Sequence, residues 1–155
     1  MKEIKLTQGK VAIVDDDDFE HLNQLKWNAT KVKSGKYYAR HCVWVDKKVK
    51  AVLMHRLIMN CPKNMCIDHI NHNELDNQKT NLRICTHAEN KRNRSAFGVS
   101  KYLGVSWCSG KFVAIIYANK KQKYLGRFIN EKDAATAYNK AAKEYHGKFA
   151  NLNVL

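Results

Sequence analysis

The sequence contains a single proline and no long apolar run. No stretch approaches the length of apolar residues that spans a bilayer, and Met1 to Lys5 lack the apolar centre of a secretory signal. We therefore expect no membrane partner and a cytoplasmic location. With 45% hydrophobic and 27% charged residues, the composition is typical of a folded chain and not of a disordered one.

Cys-x-x-Cys pairs, which hold structural zinc in many small domains, are also absent. The chain has five cysteines, and this odd number does not support a disulfide framework. We expect reduced thiols and no structural zinc. The cysteines are Cys42, Cys61, Cys66, Cys85 and Cys108.

Acidic residues are few, because 14 Asp and Glu stand against 28 Lys and Arg, for a formal charge of +14. Such an excess indicates a polyanionic partner, either nucleic acid or an acidic membrane surface. Residues 91–155 carry 13 basic and 3 acidic side chains (net +10), whereas residues 1–90 carry 15 and 11 (net +4). The C-terminal part is therefore the expected electrostatic anchor.

The N-terminal part reads as strands and one helix. Val11 to Val14 and Tyr37 to Val45 have the residue types of strands, and Lys33 to Lys36 supply a turn between them. The acidic run Asp15 to Asp18 precedes apolar residues at helical spacing, so it predicts a helix N-terminus more simply than a metal site. We expect residues 1–50 to form a β-rich segment that supports the segment after them.

A basic, polar stretch at residues 94–101 has the composition of a linker and marks the expected domain boundary. After it, Leu103 to Trp107, Lys111 to Ala118 and Lys123 to Phe128 are predicted strands. A helix should follow, with Asn130 as its N-cap and Gly147 after its end.

Residues 67–90 concentrate Asp, His and Asn between short apolar anchors. Hydrolysis of a phosphodiester bond needs a base that prepares a water molecule and a cation that binds the phosphate. Asp68 and Asn90 offer the hard oxygen ligands that Mg²⁺ or Mn²⁺ prefer, and the neutral imidazole of His69 is a competent base. If the segment folds as two strands and a helix, these groups should converge.

This segment resembles the HNH nucleases of the phage and homing-endonuclease type, which have a ββα-metal fold. The likeness rests on Asp68-His69, then Asn81 twelve residues after His69, then Asn90 nine further on. It implies that Asp68 and Asn90 bind one divalent cation, that His69 is the general base and that Asn81 pins the loop through backbone hydrogen bonds. If a phage encodes the chain, the location is the host cytoplasm.

Three other histidines are open to two interpretations. His55 lies on an apolar segment and is either a packing residue or an assistant in catalysis. His72 and His87 are surface residues or phosphate contacts, and His87 is an alternative to Asn90 as metal ligand.

Residues 102–155 resemble the APETALA or ethylene-response-factor type of DNA-binding domain, through motifs such as Tyr124-Leu125-Gly126-Arg127-Phe128 and Gly147 to Asn153. The resemblance implies a three-stranded antiparallel sheet, packed on one helix, that lies in the major groove. The arginines with which the plant relatives read bases are missing at Leu103, Ser106 and Tyr117. Candidate DNA-binding residues are Ser106, Trp107, Lys111, Ile115, Tyr117, Lys121, Gln122, Lys123, Tyr124 and Arg127.

Together these features predict an α+β protein with an HNH nuclease core at residues 51–93 and a DNA-binding domain at residues 102–155. The expected function is hydrolysis of double-stranded DNA, without an obligate protein partner. Two alternatives remain open at this point: a DNA-binding regulator with an inactive HNH fold, and an RNA-binding protein that uses the basic sheet.

Overall fold

The computed structural model describes residues 1–93, 96 and 98–155, which form two compact units, Met1–His87 and Ala88–Leu155. The predicted linker at 94–101 falls partly outside the described residues, since Arg94, Ser95 and Phe97 are not among them. No helix in the described ranges is both long and apolar enough to cross a membrane.

The first unit consists of small antiparallel sheets and short helices. One sheet pairs β1 with β2, a second has the order β3-β4-β5, and a third pairs β6 with β7. The elements are β1 (Lys2–Lys5), β2 (Val11–Val14), α1 (Asp16–Asn23), β3 (Asn28–Lys31), β4 (Tyr37–Val45), β5 (Lys48–Leu53), α2 (Met54–Ile58), β6 (Cys66–His69), β7 (Leu82–Cys85) and α3 (His87–Asn90), whose last residues belong to the second unit.

Alternating burial along the early strands builds the core of this unit. In β2 every second residue is fully buried, and in β4 Ala39 is buried between partly exposed neighbours. Because successive side chains of a strand point to opposite faces, this alternation gives each sheet one core face. The buried cluster comprises Ile4, Leu6, Ala12, Val14, Leu22, Trp27, Ala29, Ala39 and Met54.

Several predictions for this unit are confirmed. β2 and β4 have the predicted bounds, and α1 begins within the acidic run as expected. The apolar segment that contains His55 is divided between two elements. Val52 and Leu53 end β5, and Met54–Ile58 form α2. The division expected between residues 50 and 51 falls inside β5, which pairs with β4 along its whole length.

The second unit is a three-stranded antiparallel sheet, in the order β10-β9-β8, that packs against one long helix. This arrangement is the one predicted for the C-terminal part. Its elements are β8 (Val105–Cys108), β9 (Lys111–Ala118), β10 (Lys121–Phe128) and α4 (Glu131–His146). β8 begins two residues later and β10 two residues earlier than the sequence predicts.

Tight two-residue turns join these strands. Ser109 and Gly110 both have positive φ between β8 and β9, and Asn119 and Lys120 do so between β9 and β10. Two successive positive φ angles match the right-handed twist of hairpin strands. The predicted strands leave residues 119–122 between them, whereas the observed turn contains only Asn119 and Lys120. β10 can therefore begin at Lys121.

Small residues let α4 lie close to the sheet. Ala114 and Ile116 of β9 are buried against Ala134, Tyr138 and other residues of the helix. Asn130 is the N-cap residue as predicted, but its side-chain amide donates to the Asp133 carboxylate at 3.2 Å instead of accepting from the helix backbone.

Candidate active site

The end of β6 and the start of β7 position the candidate catalytic residues. Asp68 and His69 are the last two residues of β6, where they lie opposite Arg83 and Leu82 of β7. Just beyond the strands, the Ile70 N–H donates to the Asn81 carbonyl at 2.9 Å. The loop of residues 70–81 therefore begins and ends beside the Asp-His pair.

Asn81 holds the two ends of this loop together. Its Oδ1 accepts from the backbone N–H of Asn71 at 3.0 Å, and its Nδ2 donates to the Asp76 carbonyl at 2.8 Å. The side chain is buried, so neither contact is in strong competition with water. Asn81 thus has the backbone hydrogen bonds that a loop-pinning residue needs.

The N-terminal strand β2 supports the same loop from outside. The Ile13 N–H donates to the Leu75 carbonyl at 2.9 Å, and the Asn77 N–H donates to the Ile13 carbonyl at 2.8 Å. Asp15 accepts from the Lys79 backbone N–H at 2.7 Å. The acidic run therefore anchors the loop as well as starting α1, a role that the sequence pattern did not reveal.

His69 lies in a buried group of rings. It is 5% exposed, its ring centroid is 5.1 Å from that of His55 in an edge-to-face arrangement, and the Tyr38 ring lies 6.1 Å away. Burial lowers the pKa of His69 below its usual value, although the nearby carboxylates and the Asn77 hydrogen bond act in the opposite direction. The imidazole is therefore neutral at neutral pH, as a general base must be.

His55 is more strongly affected by the same surroundings. Its pKa is lowered to about 3 by burial, by the adjacent His69 and by Arg56. A histidine with this pKa stays neutral through the physiological range and packs as an aromatic ring. The His55 ring packs edge to face against His69 and Tyr38, with centroids 5.1 and 5.5 Å away, and this geometry supports the packing interpretation.

Asp68 is buried and paired with Arg83. One carboxylate oxygen, Oδ2, accepts from Arg83 Nε at 2.7 Å and lies 2.6 Å from a terminal guanidinium nitrogen. Together with Glu74, Asp68 also raises the pKa of Tyr38, although burial of the phenol is the larger cause. The Arg83 guanidinium thus pairs with a carboxylate that is itself buried.

The sequence from β5 to α3 also matches a known family. Residues 52–92 match the family model of HNH endonucleases. An uncharacterised HNH endonuclease of Acanthamoeba polyphaga mimivirus is 28% identical over 153 residues, which cover 94% of this chain and 76% of the viral protein. A structure of the HNH homing endonuclease I-HmuI, described as binding and cleaving DNA, aligns over 93% of this chain and 80% of that one, with 22% identity and a TM-score of 0.35.

Asn90, the second predicted metal ligand, is the last residue of α3 and also lies inside the HNH segment. It belongs to the second compact unit, whereas Asp68 belongs to the first. Carboxylate and amide oxygens form a donor set that suits a hard divalent cation.

The described residues contain no group of three or more His, Cys, Asp and Glu side chains placed to hold a metal ion. The five cysteines all lie in the described ranges and none is in a disulfide, and Cys66 Sγ lies 3.1 Å from His87 Nδ1. His87 therefore lies beside a thiol, and both residues belong to the segment that matches the HNH family model. His72 has a positive φ of 62° in the loop, and its backbone N–H donates to the His69 carbonyl at 3.1 Å.

The candidate DNA-binding residues divide between the two faces of the C-terminal sheet. Strand register places seven of them on the face opposite α4, which we call the open face. The side chains of Trp107, Lys121 and Lys123 lie on the helix side, where Lys123 Nζ is 4.5 Å from the centre of the Tyr145 ring. The open-face residues are Ser106, Lys111, Ile115, Tyr117, Gln122, Tyr124 and Arg127.

Two side chains on the open face are already hydrogen-bonded within the unit. Arg127 donates to the carbonyls of Cys108 and Ser109 at 3.0 and 3.3 Å, and the Tyr117 hydroxyl donates to the Lys120 carbonyl at 2.9 Å. These bonds fix the two groups at opposite ends of the face, next to the two turns.

Sequence reasoning missed three residues that organise the HNH segment. Arg83 pairs with Asp68, Asn77 contacts His69, and Asp15 fixes the loop. A signal for Arg83 was available, because strand pairing around a twelve-residue loop places it opposite Asp68. The contact of Asn77 with β2 and that of Asp15 with the loop depend on how distant segments pack, so the sequence carried no signal for them.

Proposed function

We propose that the protein is a divalent-metal-dependent endonuclease that hydrolyses phosphodiester bonds of double-stranded DNA. The observation that carries this proposal is the buried, neutral His69 next to Asp68 at the end of β6, within the HNH segment. The family model and the mimivirus relative support the nuclease class, since both are described as HNH endonucleases.

In this proposal His69 removes a proton from a water molecule as its oxygen attacks phosphorus. The loop holds His69 in place through the Asn81 hydrogen bonds and through its attachment to β2. A rigid base contributes to the rate because the proton acceptor is already oriented in the transition state.

Asp68 and Asn90 would hold Mg²⁺ or Mn²⁺, which would bind the scissile phosphate and neutralise charge on the leaving oxygen. Arg83 balances the Asp68 carboxylate and fixes its orientation through two nitrogens. In the second unit, the open face of the sheet would bind duplex DNA and direct the nuclease to its cleavage site.

One observation favours the alternative of a DNA-binding regulator with an inactive HNH fold. The Arg83 guanidinium occupies Asp68 Oδ2, and an arginine in that position competes with a cation for the carboxylate. Only the nuclease would cleave DNA in the presence of a divalent cation, whereas the regulator would bind DNA without cleaving it.

A plasmid assay tests the proposal. Supercoiled DNA is incubated with wild type or His69→Ala in Mg²⁺, Mn²⁺ or EDTA, and nicked and linear products are separated on a gel. We expect metal-dependent cleavage that falls by at least about 100-fold in His69→Ala, since general bases contribute roughly this much. His21→Ala, on the exposed side of α1, is the matched control and should cleave like wild type.

The plasmid should also carry candidate target sequences from the DNA that flanks the gene, so that a specific enzyme finds its site. Tight DNA binding without cleavage under either cation would contradict the nuclease proposal and favour the regulator. Wild-type activity in His69→Ala would contradict the assigned base.

A further inference from the structure

Asn77 is a fully buried amide in the loop of residues 70–81. It has no solvent-exposed surface, although most residues of this loop are polar. Burial of a primary amide costs free energy unless its oxygen and nitrogen find hydrogen-bond partners. The hydrogen-bond partners of Asn77 therefore indicate its structural role.

The contacts of Asn77 settle which way its amide points. Its Nδ2 lies 3.2 Å from the Leu75 carbonyl, which can only accept, so the NH₂ group must be on that side. Oδ1 then faces His69, with 3.4 Å between Oδ1 and the ring nitrogen Nε2. An amide oxygen can only accept, so Nε2 of His69 carries the hydrogen in this contact.

The backbone of Asn77 is held as firmly as its side chain. Its N–H donates to the Ile13 carbonyl of β2 at 2.8 Å, and Ile13 forms a bridge with the neighbouring Asp76. Asn77 thus links the candidate base to the core strand of the N-terminal segment. A ring held by such a link keeps one orientation between turnovers.

We propose that Asn77 is the positioning residue for His69, holding its neutral imidazole in the Nε2–H tautomer so that Nδ1 accepts the proton from the attacking water. The inference rests on the proposed role of His69 as general base. A neutral imidazole has one hydrogen and one lone pair, and the opposite tautomer would put a hydrogen on the nitrogen that must accept one. Loss of the Asn77 contact therefore lowers the fraction of molecules in which His69 can act as the base, without removing the histidine.

The tautomer can be read directly in the free protein, without DNA or metal. The protein is labelled with ¹⁵N-histidine, and two-bond ¹H–¹⁵N correlations are recorded at pH 8.5, with His69 assigned through His69→Ala. We expect wild-type His69 to show the Nε2–H pattern alone. Asn77→Leu, which has similar volume and no acceptor, should show a mixture of the two tautomers.

Two further variants distinguish a change in the His69 tautomer from a general disruption of the fold. Asn77→Asp keeps an oxygen acceptor towards Nε2 and should keep the Nε2–H pattern. Asn73→Ala, an exposed residue of the same loop whose Oδ1 accepts from the Leu75 N–H, should also keep it. Wild-type His69 in the Nδ1–H form, or an unchanged pattern in folded Asn77→Leu, would overturn the proposal.

Cleavage kinetics provide the functional half of the test. We expect kcat of Asn77→Leu to fall about threefold or more, in proportion to the lost Nε2–H fraction, with KM within a factor of two, because the tautomer affects the chemical step and not binding. Unchanged kcat in Asn77→Leu would contradict the positioning role. A wild-type protein with the Nε2–H tautomer that cleaves no DNA would contradict the proposed function alone and leave the Asn77–His69 contact supported.

Discussion

The rings of His55, His69 and Tyr38 lie in mutual contact in the first unit, and both histidines are buried. Such burial favours the neutral form of each imidazole, so both histidines have lowered pKa values. His69 was predicted from its place in the Asp-His pair. That His55 would contact it could not be predicted, since α2 and β6 meet only in the folded unit.

The lowered pKa of His55 predicts a loss of stability in acid. The folded-state pKa is about 3 and the ordinary value is 6.5. Between pH 6.5 and 3, His55 is protonated in the unfolded chain but not in the folded protein. The free energy of unfolding therefore falls as pH drops through this range. At pH 5 the loss from this residue should be about 2 kcal/mol.

Urea denaturation at pH 7.5 and at pH 5.0 measures this loss. His55→Phe keeps an aromatic ring that cannot be protonated, so its free energy of unfolding should decrease less between the two pH values, by about 2 kcal/mol. An equal decrease in the two proteins would contradict the lowered pKa of His55.

Gly104, just before β8, is required by close packing. A Cβ on this residue would lie 2.1 Å from Tyr138 Cδ2 and 2.7 Å from the Ile115 carbonyl oxygen, and φ is +73°. Gly104→Ala should therefore destabilise the second unit by about 3 kcal/mol or more, from overpacking combined with a left-handed backbone. Thermal unfolding measures this change.

Gly110 is the matched control, because φ is +77° and nothing lies within 4 Å of an added Cβ. Gly110→Ala should cost only about 1 kcal/mol, from the backbone conformation alone. Equal losses from the two substitutions would show that the contact with Tyr138 does not limit the packing of α4.

At the scale of elements, the alternation along β9 decides which side chains face away from α4. Ala114 and Ile116 are buried against the helix, so Ile115 and Tyr117 lie on the open face. The prediction treated the lysines of β10 as one group with Gln122 and Tyr124. Register with β9 instead places Lys121 and Lys123 on the helix side.

The two faces make different predictions for DNA affinity. Lys111→Ala removes a cation from the open face and should weaken duplex binding about three- to tenfold, while reducing the salt dependence by about one phosphate contact. Lys121→Ala removes an equally exposed cation from the helix side and should have a smaller effect.

Fluorescence anisotropy with labelled duplex DNA at several salt concentrations measures both variants. A loss for Lys121→Ala as large as that for Lys111→Ala would argue against the open face as the binding surface.

At the scale of the whole molecule, the formal charge of +14 is its most general property. If basic side chains displace counterions at four or more phosphates, affinity for duplex DNA should fall by about 100-fold or more between 50 and 200 mM salt. Titrations across this range measure the slope. A flat response would contradict an electrostatic origin of the affinity, and stronger binding to RNA would favour the RNA-binding alternative.

The sequence by itself determined the chemistry that is present and the type of most elements. The order of Asp68, His69, Asn81 and Asn90 is local information, and so are the strand alternation of β9 and the small-residue stripe of α4. Periodicity and short-range spacing are properties of the chain alone, so they can be read before folding.

Tertiary structure decided which groups meet. The contacts of Asn77 with β2, and of Asp15 with the loop, join segments whose separation in the chain gives no sign of them. The irregularity between Tyr124 and Gly126 shifts the register of β10 by one residue. Since a one-residue shift exchanges the faces of a strand, it places Arg127 on the open face, where strict alternation would have turned it towards α4.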